Sequence, residues 1–218
     1  DEVIDLEGRA VTPGLVDAHT HLVYGGNRAN EFEMRSRGLS YEQIAREGGG
    51  ILSTMRATRD SYIHDLSDLA ARRMGWMIRN GTTTAEVKSG YGLSCESELR
   101  MLDAATIAGK RTGMRTVLTL LAAHCVPPEF ADSGDRYIAY ICNQIVPAAA
   151  KKGARYVDAF VESIAFSKSQ AEQVIETNPR VVLDFHDTAF ITSAGLAVLV
   201  KLQKLAQARG GALHLASC

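Results

Sequence analysis

The chain has 218 residues, 46% of them hydrophobic and 22% charged, with a formal net charge of −1. That length fits one large domain or two small ones with a buried core. The near-zero charge argues against electrostatic capture of nucleic acid or anionic membrane. The longest apolar runs fall far short of the ~20 residues of a membrane span. The opening Asp-Glu-Val-Ile-Asp has neither the basic start nor the apolar core of a signal peptide. It also lacks an initiator Met, as a fragment would. Cys95, Cys125, Cys142 and Cys218 form no C-x-x-C pair, so free thiols in a reducing cytoplasm are expected.

In chain order, residues 15–18 read as a strand ending in polar residues. Ser40, with Gln43 three residues later, has the form of a capping box at a helix start. A longer helix is expected over 62–79, with Leu66, Leu69, Met77 and Ile78 as its apolar stripe and Gly81 beyond its end. Residues 82–87 are short and β-branched, as a strand requires. Ser94 can cap a helix over 96–109, followed by a strand over 115–121. Ser133 or Asp135 starts a helix that ends near Gly153. Residues 155–161 form the next strand, and Ser167 caps another helix. After Thr177-Asn178-Pro179 the pattern restarts with a strand over 181–185, an apolar helix over 193–209 and a strand over 212–216. The fold class is therefore α/β: four βα units, then one βαβ unit. Such alternation predicts parallel strands joined by right-handed crossovers. Chemistry in such folds gathers at the carboxyl ends of the strands. Periodicity alone leaves barrel and open sheet both possible.

The segment Val11-Thr-Pro-Gly-Leu-Val-Asp-Ala-His19-Thr-His21 carries the strongest chemical signal. Two histidines one residue apart at a strand end point the same way, because side chains alternate with period two. Both imidazoles can then hold one cation, and zinc or iron suits nitrogen ligands. A cation held there acidifies water from ~15.7 to ~7, which makes hydroxide available at neutral pH.

With its Pro-Gly-Leu-Val-Asp context, this motif resembles the amidohydrolase superfamily, whose metal site sits on a (β/α)8 barrel. Further motifs resemble imidazolonepropionases: Leu22-Val-Tyr-Gly-Gly-Asn-Arg28, Glu31-Phe-Glu-Met-Arg35, the run from Gly48 to Thr54, Glu86-Val-Lys-Ser-Gly-Tyr-Gly92 and Ala123-His124-Cys-Val-Pro-Pro-Glu129. The resemblance covers residues 1–176. It implies a hydrolase of histidine degradation that opens the ring of 4-imidazolone-5-propanoate with water, giving N-formimidoyl-L-glutamate. By the same resemblance His19 and His21 are two ligands of a divalent zinc or iron. Arg28 holds the substrate carboxylate, Tyr91 contacts the substrate, and His124 hydrogen-bonds the ring or its developing charge as the catalytic group. Each has a plainer alternative: a salt bridge from Arg28 to Glu31 or Glu33, a packing role for Tyr91, and a carbonyl-bonded core histidine at His124. Lys88 and Glu86 read as an ion pair, and His64 as a solvated helix residue.

The resemblance also implies a further histidine ligand, an aspartate ligand and an acid–base glutamate on later barrel strands. None of those segments is present, so turnover is expected to be impaired. Residues 177–218 instead resemble the middle of a STAS domain, the fold of anti-sigma-factor antagonists. The motifs that carry this are Val181-Val-Leu-Asp-Phe185, Phe190-Ile-Thr-Ser-Ala-Gly-Leu196 and Ala208-Arg-Gly-Gly-Ala-Leu-His-Leu215. The phosphoacceptor position of that family aligns with Ala194, which argues against a phosphoswitch, and Ser193 reads as a helix cap. The expected architecture is thus an incomplete (β/α)8-type barrel over 1–176 joined to a partial STAS-like βαβ segment over 177–218. Its uncovered sheet edges favour a homo-oligomer. Besides the hydrolase, two readings remain open: a non-catalytic chimera of fold fragments, and a STAS-type partner-binding module. His186, with Asp187, follows the fifth strand, roughly where the third metal ligand of the family would sit; the alternative is an ordinary strand-end residue.

Overall fold

The computed structural model describes residues 5–40, 43–44, 48–161, 165–177, 180–184 and 212–216. The expected helix over 193–209, and Ser193, Ala194, His186 and Asp187, lie outside them. Among the described residues six strands form one sheet: β1 Leu15–Asp17, β2 Thr82–Lys88, β3 Arg115–Ala123, β4 Tyr156–Ala159, β5 Arg180–Asp184 and β6 Ala212–Ala216. Their spatial order is β1-β2-β3-β4-β5-β6, and every neighbouring pair is parallel. Strand β5 lies beside β4 through the pairing of Val157 with Val181.

This order separates the two candidate architectures. A doubly wound sheet reverses direction at a switch point. Here each step moves to the next strand on the same side. With right-handed crossovers that places the connecting helices on one face, as a barrel does. The fold is a curled half-barrel. The apolar positions agree: Ala85, Val87, Leu118 and Leu120 are buried in one core with Leu66, Ala70, Met74, Met101, Leu102 and Ala105 of the helices. The opposite face carries Glu86, Lys88, Thr119 and Asp158, all buried and polar. At the outer edge, Leu15 and Val16 of β1 are 59% and 68% exposed.

The helices are α1 Ala29–Ser36, α2 Ile51–Asp60, α3 Ile63–Arg79, α4 Cys95–Thr112, α5 Gly134–Tyr140, α6 Val146–Lys151 and α7 Lys168–Thr177. Three of these starts, at Ser94, Ser133 and Ser167, follow caps read from sequence, and the Ser40–Gln43 box is present as well. Ser40 and Gln43 exchange two bonds, the Ser40 N–H donating to Oε1 at 2.7 Å and the Gln43 N–H to Oγ at 3.2 Å. Ser167 and Gln170 repeat the device at 2.8 and 3.3 Å. Ser94 and Ser133 each accept a first-turn N–H. Between α5 and α6 the backbone widens into a π-turn over Ile141–Ile145. Pro147 sits just beyond it, and its ring and missing N–H disfavour regular α-helical bonding to the preceding turn.

Two expectations are corrected. In α3 the buried stripe is Leu66, Ala70 and Met74, whereas Leu69 and Met77 lie at its margin and Ile78 is exposed. The i, i+4, i+8 spacing, with Ala70 at its centre, lets α3 pack closely on α4. Helix α4 does not stop at Gly109. It runs one turn further to Gly113, whose φ of 76° supplies the left-handed cap. Gly109 is instead where the helix meets the sheet: an added Cβ would stand 2.8 Å from Cγ2 of Thr116. Gly109→Ala should therefore lower stability by about 1–3 kcal/mol through overpacking, against the gain of up to ~1 kcal/mol that helix propensity alone gives. Urea unfolding midpoints measure this, and a more stable variant would contradict the close approach.

Candidate active site

The carboxyl ends of β1 to β4 converge on one cluster of rings. His19 and His21 leave the end of β1 with Thr20 between them. Thr20 points the other way, into the protein, where its N–H and hydroxyl both bond to Glu86. Alternation along the strand thus puts both imidazoles on one side, with ring centroids 5.3 Å apart. From the loop after β2, the Tyr91 ring comes to 5.6 Å from His21. At the end of β3, His124 stacks on His21 at 5.6 Å and lies 5.4 Å from Tyr91. Four of the five site residues expected from sequence share this cluster.

Arg28 stands at its margin. Its guanidinium pairs with Glu31, with Nε and one terminal nitrogen 2.7 and 2.5 Å from Oε2. The salt-bridge alternative is therefore realised with Glu31, while Glu33 pairs with Arg37. Glu31 is itself held by the Gly50 N–H at 2.9 Å. Although burial works against it, Arg28 and that N–H keep the carboxyl of Glu31 below its ordinary range. Arg28 also remains within electrostatic reach of Tyr91: burial raises the phenol's pKa, and Arg28 opposes the rise.

The electrostatics keep His21 and His124 neutral. Burial, then His124 and His19, lowers His21 to about 3. Burial also lowers His124, against the pull of the Gly90 carbonyl. Nδ1 of His124 lies 2.9 Å from that carbonyl. A carbonyl only accepts, so Nδ1 carries the proton and Nε2 keeps a free lone pair. Nδ1 of His21 is buried without a hydrogen-bond partner, as a nitrogen reserved for a cation would be. The neutral His21, with its unsatisfied buried nitrogen, and His19 beside it suit a divalent zinc or iron as a partial ligand set. Among the described residues, no group of three or more His, Cys, Asp or Glu side chains is arranged to hold a metal.

The ion pair of Lys88 and Glu86 read from sequence is present, whereas the parts played by Asp158, Arg73, Tyr24 and Phe160 were missed. Lys88 is 1% exposed and lies between two carboxylates, 3.1 Å from Glu86 and 3.0 Å from Asp158. Burial alone would discharge it, but Asp158 and Glu86 more than offset this and hold it charged. Arg73 fixes the loop after His21 by donating to the carbonyls of Leu22 and Tyr24 and stacking over the Tyr24 ring at 3.5 Å. Tyr24 in turn meets Tyr91 edge-on at 6.0 Å. Phe160, beyond β4, closes the other side edge-on to His124. Of these contacts only the Lys88–Glu86 pair, two apart along one strand, was visible in advance. The exposed His64 stacks on Tyr62, far from this chemistry in sequence and role. Cys95, Cys125 and Cys142 are free thiols, and burial pushes Cys125 up to about 12.

Lys88→Met keeps the bulk but leaves Glu86 and Asp158 facing each other, and should cost about 3–5 kcal/mol. The loss should depend on pH. Burial already raises the carboxyl of Glu86, and without Lys88 it rises further. A raised folded-state pKa favours folding at low pH, an advantage lost as pH rises through it. Urea midpoints at acid and mildly alkaline pH should show a smaller deficit in acid. A deficit independent of pH would contradict the pairing.

The Amidohydrolase family (Amidohydro_3) matches residues 2–175. The imidazolonepropionase of Photobacterium profundum is 51% identical over 177 residues, covering 81% of this chain and 43% of its own. That of Aeromonas salmonicida is 53% identical over 171 residues, covering 78% and 42%. That of Hahella chejuensis is 47% identical over 208 residues, covering 94% and 52%. The chain thus spans about half the length of the curated relatives it matches. With the two-histidine strand end, the sequential parallel strands and this match over most of its length, the chain belongs to the amidohydrolase family.

Proposed function

We propose that residues 1–176 supply the substrate-binding half and two metal ligands of an imidazolonepropionase-type site. This site opens the ring of 4-imidazolone-5-propanoate with water, giving N-formimidoyl-L-glutamate. The observation that carries this reading is the convergence of His19, His21, Tyr91 and His124, from three strand ends, within 5.3–5.6 Å ring to ring. His19 and His21 would hold the metal, zinc or iron, which when bound acidifies water toward a pKa of ~7. Arg28 reaches the substrate carboxylate while Glu31 keeps the guanidinium extended from its base. Tyr91 packs on the ring. His124, neutral and protonated on Nδ1, presents a bare Nε2 that accepts a hydrogen bond from a ring N–H. In that state it cannot donate to a developing oxyanion, which narrows the role expected for it. Arg73 and Tyr24 hold the loop that carries Arg28, and Phe160 shields the far side of His124 from water.

A second reading stands beside this one: a chain that retains the site's ancestry and turns over poorly. In that reading residues 177–218 are a partial STAS-like βαβ segment joined to the barrel half. The parallel pairing of β5 with β6 is compatible with such a segment and with further barrel strands alike. His186 lies outside the described residues. If it replaces the missing ligand, His186→Ala binds less metal than the parent; equal metal content removes it from the ligand set.

The function is tested with the full chain loaded with Zn2+ or Fe2+. Calorimetry should detect binding of imidazolone propanoate, and Arg28→Ala should weaken it ~10-fold or more. Decay of the imidazolone absorbance above the buffer rate, lost in His21→Ala, would establish turnover. Bound metal and substrate without decay would favour the impaired form. Absence of substrate binding, or an Arg28→Ala variant that binds as well as the parent, would contradict the assignment.

A further inference from the structure

Glu98 is fully buried beside the site, yet the proposed reaction gives it no task. It is the fourth residue of α4, and its carboxylate faces the loop between β2 and α4. Oε2 accepts from the Gly90 N–H at 2.9 Å. Oε1 accepts from the N–H groups of Gly92 and Leu93 at 2.8 and 2.7 Å. The Ser89 hydroxyl gives a fourth bond, and the same hydroxyl accepts from the Leu121 N–H of β3 at 3.1 Å. Two carboxylate oxygens offer about four acceptor positions, so the set is nearly full.

The loop held in this way is tightly built. Leu93 has a φ of 53°, a left-handed conformation that costs a non-glycine residue energy and persists only when its surroundings impose it. Gly90 has a φ of 109°, and an added Cβ there would stand 3.0 Å from Nδ1 of His124 and 3.0 Å from the Leu121 carbonyl. The centre of the loop is Tyr91. Its first carbonyl past Ser89, that of Gly90, accepts the hydrogen bond from Nδ1–H of His124. One carboxylate therefore sits behind both substrate-facing groups.

We propose that Glu98 is the positioning residue of this site: by gathering the amides of Gly90, Gly92 and Leu93 it sets the place of Tyr91 and, through the Gly90 carbonyl, holds His124 in its Nδ1–H tautomer. The rival is a staple that holds the loop without governing His124. The inference stands on the loop geometry, and only its consequence for ring opening rests on the function proposed above.

The test is histidine side-chain 15N NMR on the full chain, parent against Glu98→Gln. The amide keeps the volume but turns one acceptor into a donor that faces an N–H. In the parent, His124 should show a protonated Nδ1 and a bare Nε2. In Glu98→Gln it should show both tautomers, while the amides of Gly90, Gly92 and Leu93 exchange ~10-fold faster and those of β3 do not. A single Nδ1–H form in the variant overturns the proposal, as does an Nε2–H form in the parent. Should Glu98→Gln fail to fold, Glu98→Asp, with the carboxylate drawn back by one methylene, is read by the same criterion. Substrate binding is measured separately: its failure in the parent would overturn the function proposed above and leave the tautomer result standing.

Discussion

Every strand of the sheet runs in the same direction, and each crossover steps to the adjacent strand. The polar loops that follow β1, β2 and β3 must then lie side by side at one end. This constraint brings His21, Tyr91 and His124 together although they are far apart in sequence. It also sorts the two faces of the sheet. The helices cover the apolar face, and the residues that alternate with that face turn Glu86, Lys88, Thr119 and Asp158 toward the inside of the curl. A site at the carboxyl ends is thus a by-product of topology, before any residue is chosen for chemistry.

The charged group beneath the rings follows from the same geometry. Glu86 and Lys88 are two apart on β2 and so share a face, and Asp158 meets them from β4, with β3 between. A lone ammonium there would be discharged by burial, and two facing carboxylates would repel each other. Together they are compatible with a buried floor, to which the N–H and hydroxyl of Thr20 are also tied. The histidine pair is thereby anchored to the floor through the residue between them. Above, the contacts pass from Arg73 to Tyr24, Tyr91, His124 and Phe160.

Local signals were legible where the chemistry is local. The Ser40–Gln43 box and the Ser94 and Ser167 caps each span a few residues, and the structure contains them; the H-x-H pair is as local, and its rings lie 5.3 Å apart. The roles of Arg28, Tyr91 and His124 came from family motifs, because no spacing rule brings together residues of separate strands. Long-range contacts stayed hidden. Asp158 is 70 residues from Lys88, and Glu98 looks like an ordinary first-turn acid until the loop before it folds back. Gly109 misled because glycine signals both a helix end and a close approach, and only the neighbouring Thr116 decides between them. Ile78 misled because apolar character was counted without the helical angle that Ala70 and Met74 define.

The central claim is that His19 and His21 are placed to share one cation, with His124 beside them and apart from it. Titrating Zn2+ into the 15N-labelled chain while following the histidine ring nitrogens tests this most directly. The account predicts that the His19 and His21 resonances move together to ligated positions, while His124 keeps its Nδ1–H and His64 is unchanged. Zn2+ that shifts His64 first, or that leaves His19 and His21 where they were, would contradict it.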